Sequence, residues 1–233
     1  MLRYNLITTQ GSSRLRAAFE QAERLGYLER LMITCYPRLA EQFPDRPQQA
    51  TELGNVGCFA AHRRAIENLH ELGHEYAVVL EDDCVFASQM DCDAVIEGAI
   101  LELNAHDPEW RCLNLGGCRF DQWVPGFRFY QQQVGGYTSR VRNMTTTHAM
   151  VYHIGRCLDL FQLWVPSYEE VLEAPDDFHL SGLGQDLWLS RKAGYYALNT
   201  PIAFQTGNDT TIGNLHQNID QAITLTHQSF QLS

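Results

Sequence analysis

Three consecutive carboxylates, Glu81-Asp82-Asp83, follow directly on the apolar run Tyr76 to Leu80. Carboxylates side by side repel one another unless water or a cation neutralises them, and a divalent cation is the usual neutraliser. An all-oxygen ligand set suits Mg2+ or Mn2+ rather than Zn2+. Such an ion can bridge a protein to a diphosphate and stabilise the charge that develops as the diphosphate leaves. The plain alternative is a solvated acidic loop. A further acid, Asp186, stands in the glycine-containing string Leu180-Ser181-Gly182-Leu183-Gly184-Gln185-Asp186, where it begins a helix and its charge is favourably placed.

Composition removes several chemistries. The chain has 17 basic residues, of which Lys192 is the one lysine, and it lies in Ser190-Arg191-Lys192-Ala193-Gly194 with no glycine-rich turn before it. A P-loop and the strand lysine of a protein kinase are both excluded. Against 28 acids the net charge is -11, no basic stripe is visible, and a nucleic-acid partner is not expected. The same deficit weakens any electrostatic anchoring to a membrane, leaving peripheral contact as the remaining mode. No apolar run approaches the roughly 18 residues of a transmembrane span, and the N-terminus lacks the apolar stretch of a signal peptide. Seven cysteines make an odd count, and no two have zinc-knuckle or redox-motif spacing. They read as packing residues of a reduced, cytoplasmic protein.

The elements that must carry these residues alternate. Strands are expected at Tyr4 to Thr9 and Leu31 to Cys35, with a helix between them capped by Ser12 or Ser13. A loop containing Pro37, Pro44 and Pro47 leads to a helix beginning near Val56 and stopping at Gly73. Tyr76 to Leu80 has the continuous apolarity of a strand buried on both faces. A helix over Asp93 to Asn104, strands at Cys112 to Leu115 and His148 to His153, and a helix over Gly155 to Trp164 follow. Arg119 to Met144 reads as loops and irregular strands. This is an α/β fold with a largely parallel sheet, and ligands in such sheets bind beyond the carboxyl ends of the strands, where Glu81 falls. No linker marks a boundary, so one domain over 1–233 is expected.

Leu53-Gly54-Asn55-Val56-Gly57-Cys58, then His62, a helix, and an apolar strand ending in Glu81-Asp82-Asp83 resemble glycosyltransferase family 25, which includes lipopolysaccharide and collagen galactosyltransferases. The family pattern is Gly-x-x-Gly-Cys-x-x-Ser-His followed by a strand and Glu-Asp-Asp; Ala61 stands here in place of the Ser. Arg14 and Arg16, Thr147 to Tyr152, and Pro201 to Gln205 resemble weaker family features, so the likeness covers about residues 1 to 212. Thr8-Thr9-Gln10-Gly11 departs from it, because the family usually has basic residues there. The resemblance implies the A-type glycosyltransferase fold, a Rossmann-like mixed sheet flanked by helices that binds a nucleotide-diphospho-sugar, with residues 1–118 as the nucleotide-sugar-binding half and 119–233 as the acceptor-binding half. It makes Asp83 the most direct metal ligand, with Glu81 and Asp82 touching the metal shell or the donor. Arg14 is then a diphosphate contact, or otherwise a plain helix-start arginine. His62 is a donor-site residue or a helix histidine satisfied locally.

Transfer with inversion needs a base for the acceptor hydroxyl. Asp186 resembles the acid that inverting transferases of this fold place beneath the acceptor, with Gln185 replacing their Glu; its plain reading is a helix cap. Asp176 and Asp177 are rivals. Gln205, His216 or His227 could complete a metal site, and Trp123, Phe127, Phe129 and Tyr130 could stack on a sugar or simply be buried. The expectation is a Mn2+- or Mg2+-dependent transferase moving galactose or glucose from a UDP-sugar to a glycan or lipopolysaccharide-like hydroxyl. A nucleotidyltransferase and a non-catalytic nucleotide-sugar-binding module are the alternatives.

Overall fold

A computed structural model describes residues 2–87, 90–119, 128–174 and 184–205. The chain opens with strand β1 (Arg3–Thr9), helix α1 (Leu15–Arg24), β2 (Leu31–Tyr36), the short α2 (Leu39–Gln42) and the long α3 (Ala50–Glu71). Then come β3 (Tyr76–Glu81), β4 (Cys84–Phe86), α4 (Cys92–His106), β5 (Cys112–Asn114) and β6 (Cys118–Arg119). The remainder is β7 (Tyr130–Gln133), β8 (Thr138–Arg142), β9 (Met144–Thr145), β10 (Ala149–His153), α5 (Ile154–Trp164), α6 (Tyr168–Glu173), α7 (Gly184–Ser190), β11 (Tyr195–Leu198) and β12 (Ala203–Gln205).

Eight strands form one sheet in the order β2-β1-β3-β10-β5-β11-β8-β7. β1 pairs in parallel with β2 and β3, and β5 with β11; β10 and β8 run against their neighbours. The expected mixed α/β sheet flanked by helices is therefore present. β1 lies between β2 and β3, so the chain leaves it toward one side and returns on the other. That reversal opens a crevice at the strands' carboxyl ends, the ordinary position for a ligand in such sheets.

Alternation along β1 explains the two faces. Leu2, Tyr4 and Leu6 join α1 and α4 residues such as Ala18, Ala22, Ile96 and Leu103 in one core. Ile7, on the opposite face, joins Phe59, Ile66 and Leu69 of α3 and Cys157 and Phe161 of α5 in the second. Each fully buried Ile, Leu or Phe contributes roughly 1.5–3 kcal/mol relative to exposure. A third, smaller cluster of Leu39, Leu53, Val56, Ala60, Tyr168 and Val171 seats α2 and α6 against the start of α3.

Several expectations are corrected. α3 starts at Ala50, well before Val56, so the Leu53 to Cys58 motif is helical. Its Gly57 permits this packing, because a Cβ there would stand 3.2 Å from Leu39 Cδ1. α1 begins after Arg14, whose own side chain makes no cap; the Ser12 hydroxyl accepts from the Arg14 amide at 3.3 Å while donating to Asp82. Within Arg119 to Met144, β7 and β8 form a regular antiparallel hairpin on the sheet edge, held by Glu102, which accepts from the Thr138 hydroxyl and from the Tyr137 and Thr138 amides. Among the described residues, no helix is long and apolar enough to cross a membrane.

Candidate functional site

The carboxyl ends of β1, β2 and β3 surround a cavity of 130 Å³, whose lining includes Thr8, Arg14, Arg38, Cys58, Glu81 and Asp82. Register explains the convergence: Ile7 pairs with Glu81, so the residues that follow on each strand leave the sheet together. Tyr36 and Tyr168 close one side as a ring stack, with centroids 4.6 Å apart. The Tyr168 hydroxyl donates to the Pro37 carbonyl at 3.0 Å and ties α6 to the end of β2.

The three carboxylates face different partners. Asp82 is buried, and its Oδ2 accepts from the hydroxyls of Thr8 and Ser12, each at 2.6 Å. The Arg14 guanidinium lies 3.0 Å from Asp82 Oδ1 and 3.2 Å from Asp83 Oδ2, bridging the two acids. Asp83 also accepts from Gln205 Nε2 at 2.9 Å. Burial and then the nearby Glu81 push the Asp83 carboxyl up to about 7, against the pull of Gln205 and Arg14. Arg14 alone does not offset the charge concentrated here.

Glu81 turns toward α3. Its Oε1 accepts from the Thr147 hydroxyl at 3.0 Å and lies 3.5 Å from His62 Nε2 and 3.6 Å from Cys58 Sγ. Burial opposes its ionisation, yet His62, His148 and Thr147 together hold its carboxyl below the ordinary range. His62 is completely buried, and its Nδ1 meets the Tyr152 hydroxyl at 2.9 Å. It thus lies beneath Glu81 and not on the cavity wall. Burial and the neighbouring Glu81 push the Cys58 thiol well up.

Asp186 stands in the first turn of α7, near enough to Glu81 to feel its charge; burial raises its carboxyl, and a hydrogen bond from the Thr146 amide partly opposes this. That bond is 2.6 Å long. Thr146 has a φ of 69°, a left-handed conformation that β-branched residues rarely adopt. The same residue's carbonyl accepts from Asn114 Nδ2 at 2.7 Å, so both ends of Thr146 are fastened.

Of the residues singled out in the sequence, Arg14, Glu81 and Asp82 line the cavity; Asp83 and Gln205 join them through Arg14, His62 lies beneath Glu81, and Asp186 is near enough to Glu81 to feel its charge. Gln185 lies in α7, but its side chain is outside the described residues, as are Asp176, Asp177, Trp123, Phe127, His216 and His227. Arg16 pairs with Glu20 on the surface, away from the crevice. Phe129 lies under the Arg119 guanidinium and Tyr130 is exposed. Residues the sequence did not mark for a role here are Thr8, Thr147, Tyr36 and Arg38. Thr8 has the one legible signal, a hydroxyl at the end of a central strand.

No protein-family model matches the chain, and no curated protein sequence does either. Among solved structures, it is similar to a mannose-1-phosphate geranyltransferase from Thermus thermophilus, with 15% identity over 85% of this chain and 74% of that one and a TM-score of 0.47. It is likewise similar to a glycosyltransferase involved in glycosylation of the major capsid of PBCV-1, with 8% identity over 99% and 100% of the two chains and a TM-score of 0.42. An apo UDP-glucose pyrophosphorylase gives 8% identity, 99% coverage of both chains and a TM-score of 0.46.

Proposed function

We propose that the chain is a metal-dependent glycosyltransferase that moves a hexose, galactose or glucose, from a UDP-sugar to a hydroxyl of a glycan or lipopolysaccharide-like acceptor. The carrying observation is the meeting of Arg14 with Asp82 and Asp83 beside a cavity at the β1/β3 reversal. The Arg14 guanidinium beside the cavity offers charge and charge-assisted hydrogen bonds to a sugar diphosphate, while the Thr8 and Ser12 hydroxyls hold Asp82 in place. Its resemblance to family 25 in the Gly54 to His62 and Glu81 to Asp83 stretches supports the same reading.

The buried Asp83, with its carboxyl raised to about 7 beside Glu81, fits a divalent cation. Asp83 and Glu81 would hold it through oxygen, and the amide oxygen of Gln205 could join them, since side-chain amide orientation is an assignment from the hydrogen-bond network. The donor set suits Mn2+ or Mg2+. When bound, such an ion supplies charge neutralisation for the diphosphate leaving group.

The protein's own groups do the rest. Arg14 orients the diphosphate, and Asp82, fixed by Thr8 and Ser12, offers its carboxylate to the donor's hydroxyls. Asp186 accepts the proton of the acceptor hydroxyl as that oxygen attacks the anomeric carbon. Burial raises its pKa, which makes it a stronger base while the Thr146 amide keeps it aimed. Displacement from the face opposite UDP inverts the anomeric carbon.

The test is UDP release from UDP-galactose and UDP-glucose, with and without Mn2+, in the wild type and in Asp83→Ala and Asp186→Asn. Metal-stimulated release that depends on both residues is expected. Turnover indifferent to Asp83→Ala refutes the metal assignment, and normal turnover in Asp186→Asn refutes the base. Pyrophosphate formed from a sugar phosphate and a nucleoside triphosphate would instead identify a nucleotidyltransferase.

A further inference from the structure

Cys58, His62 and Glu81 present a sulfur, an imidazole nitrogen and a carboxylate oxygen within 4.8 Å of one another. We propose that these three residues form a Zn2+-type transition-metal site, which shares Glu81 with the oxygen site proposed at Asp83 but differs from it in its sulfur and nitrogen donors, with its fourth position open to the cavity. The donor set is the first reason. Thiolate and imidazole select Zn2+ or Co2+ over Mg2+ or Mn2+.

Dimensions are the second reason. With Zn–S near 2.3 Å, Zn–N near 2.05 Å and Zn–O near 2.1 Å, tetrahedral ligation separates sulfur from oxygen by about 3.6 Å and nitrogen from oxygen by about 3.4 Å. The observed separations from Glu81 Oε1 are 3.6 Å for Cys58 Sγ and 3.5 Å for His62 Nε2. Sulfur and nitrogen therefore both stand from the Glu81 oxygen at the separations an ion requires, and all three atoms lie within 4.8 Å of one another. Cys58 and His62 sit at positions i and i+4 on α3, one turn apart on a single face, and β3 delivers Glu81 to that face.

Protonation balances simply. With a neutral imidazole and no metal, the tautomer that lets both the Cys58 S–H and the His62 Nε2–H donate to Glu81 leaves Nδ1 to accept from the Tyr152 hydroxyl. A bound ion takes the place of those two hydrogens. The thiol proton leaves to solvent, the imidazole proton moves to Nδ1, and Tyr152 turns from donor to acceptor. This gives the metal-bound His62 the oriented partner that histidine ligands usually have. The step releases one proton per ion and involves no change of oxidation state. Cys58 and Glu81 line the cavity, so the fourth ligand is a water or an oxygen of whatever occupies it.

This inference does not depend on sugar transfer, and the experiment uses no donor. Chelator-treated wild type, Cys58→Ser, Glu81→Gln and Asp83→Asn are titrated with Zn2+ and with Co2+, and folding is checked by circular dichroism. We expect one equivalent of Zn2+ and a thiolate-to-Co2+ charge-transfer band in the near ultraviolet. Cys58→Ser loses the band and binds at least about tenfold more weakly. Glu81→Gln keeps an acceptor oxygen for its three neighbours, and so the local packing, but also binds about tenfold more weakly. Asp83→Asn keeps both band and affinity, which separates this site from the proposed donor-site cation. A Co2+ complex without the thiolate band overturns the proposal. So does unchanged affinity in Cys58→Ser or, should that variant not fold, in Glu81→Gln.

Discussion

Asp83→Asn should make the metal-free protein more stable at pH 8 while removing metal-dependent transfer. The Asp83 carboxyl rises from 3.8 to about 7 in the fold, first through burial and then through Glu81. An acid with a raised folded-state pKa binds its proton more tightly folded than unfolded. Stability therefore falls as pH climbs from about 4 to 7, and the penalty is complete above that range. A shift of about three units at about 1.4 kcal/mol each gives about 4 kcal/mol. Part of this belongs jointly to Asp83 and Glu81, so the asparagine should recover about 2–4 kcal/mol. The carboxamide that replaces the Asp83 carboxylate still offers an oxygen to Gln205 and Arg14, so the polar contacts survive the exchange. For a chain of this length the gain corresponds to a melting temperature higher by roughly 5–15 °C. The assay is thermal unfolding in chelator from pH 5 to pH 8, repeated with Mn2+. The variant should gain little at pH 5 and most at pH 8, and Mn2+ should raise the wild type's melting temperature but not the variant's. A variant no more stable than wild type at pH 8, or one that keeps the wild type's downward slope between pH 5 and 7, refutes the reasoning.

Other outcomes follow from neighbouring contacts. Asp186→Asn should lower the transfer rate by about a hundredfold or more, the usual loss for a general base, with little change in UDP affinity by calorimetry. Asn114→Ala frees the Thr146 carbonyl and the turn amides of Gly116 and Gly117 that Asn114 Oδ1 accepts; it should lower both stability and turnover, whereas loss of stability alone would sever the link to Asp186. Arg14→Met leaves Asp82 and Asp83 without their shared cation and should weaken UDP binding at least about tenfold, since charge-assisted bonds contribute about 1.5–3 kcal/mol. Gly116→Ala puts a methyl against the Ala203 carbonyl and should cost about 1–3 kcal/mol in denaturant unfolding.

Legibility in the sequence tracked how much of an element's pattern its own residues carry. Tyr76 to Leu80 is buried almost throughout, and an unbroken apolar run ending in acids located both the central strand and the crevice. β7 gave no such signal, because Tyr130 to Gln133 are all exposed and a wholly solvated edge strand lacks alternation. The start of α3 was hidden by Gly54 and Gly57, which weigh against helix by intrinsic preference, although Gly57 is what lets Leu39 approach. The crevice acids and Arg14 could be named from sequence, but their division of labour could not. Which carboxylate meets the guanidinium and which meets Cys58 and His62 depends on strand register and on a helix face 19 residues away. No spacing rule links a cysteine and a histidine on a helix with an acid on the next strand.

The fastening of Thr146 has a consequence for how this chain can vary. Asp186 takes its orienting bond from a backbone amide, and every amino acid except proline supplies one. The side chain at 146 is therefore free to change without altering what the acid receives from its neighbour, and glycine there would relieve the left-handed backbone. Robustness at 146 is matched by fragility at 114, where the bond comes from a side-chain amide that no other residue reproduces at the same reach. Drift in related sequences should accordingly be tolerated at the first position, toward glycine or asparagine above all, and stall at the second.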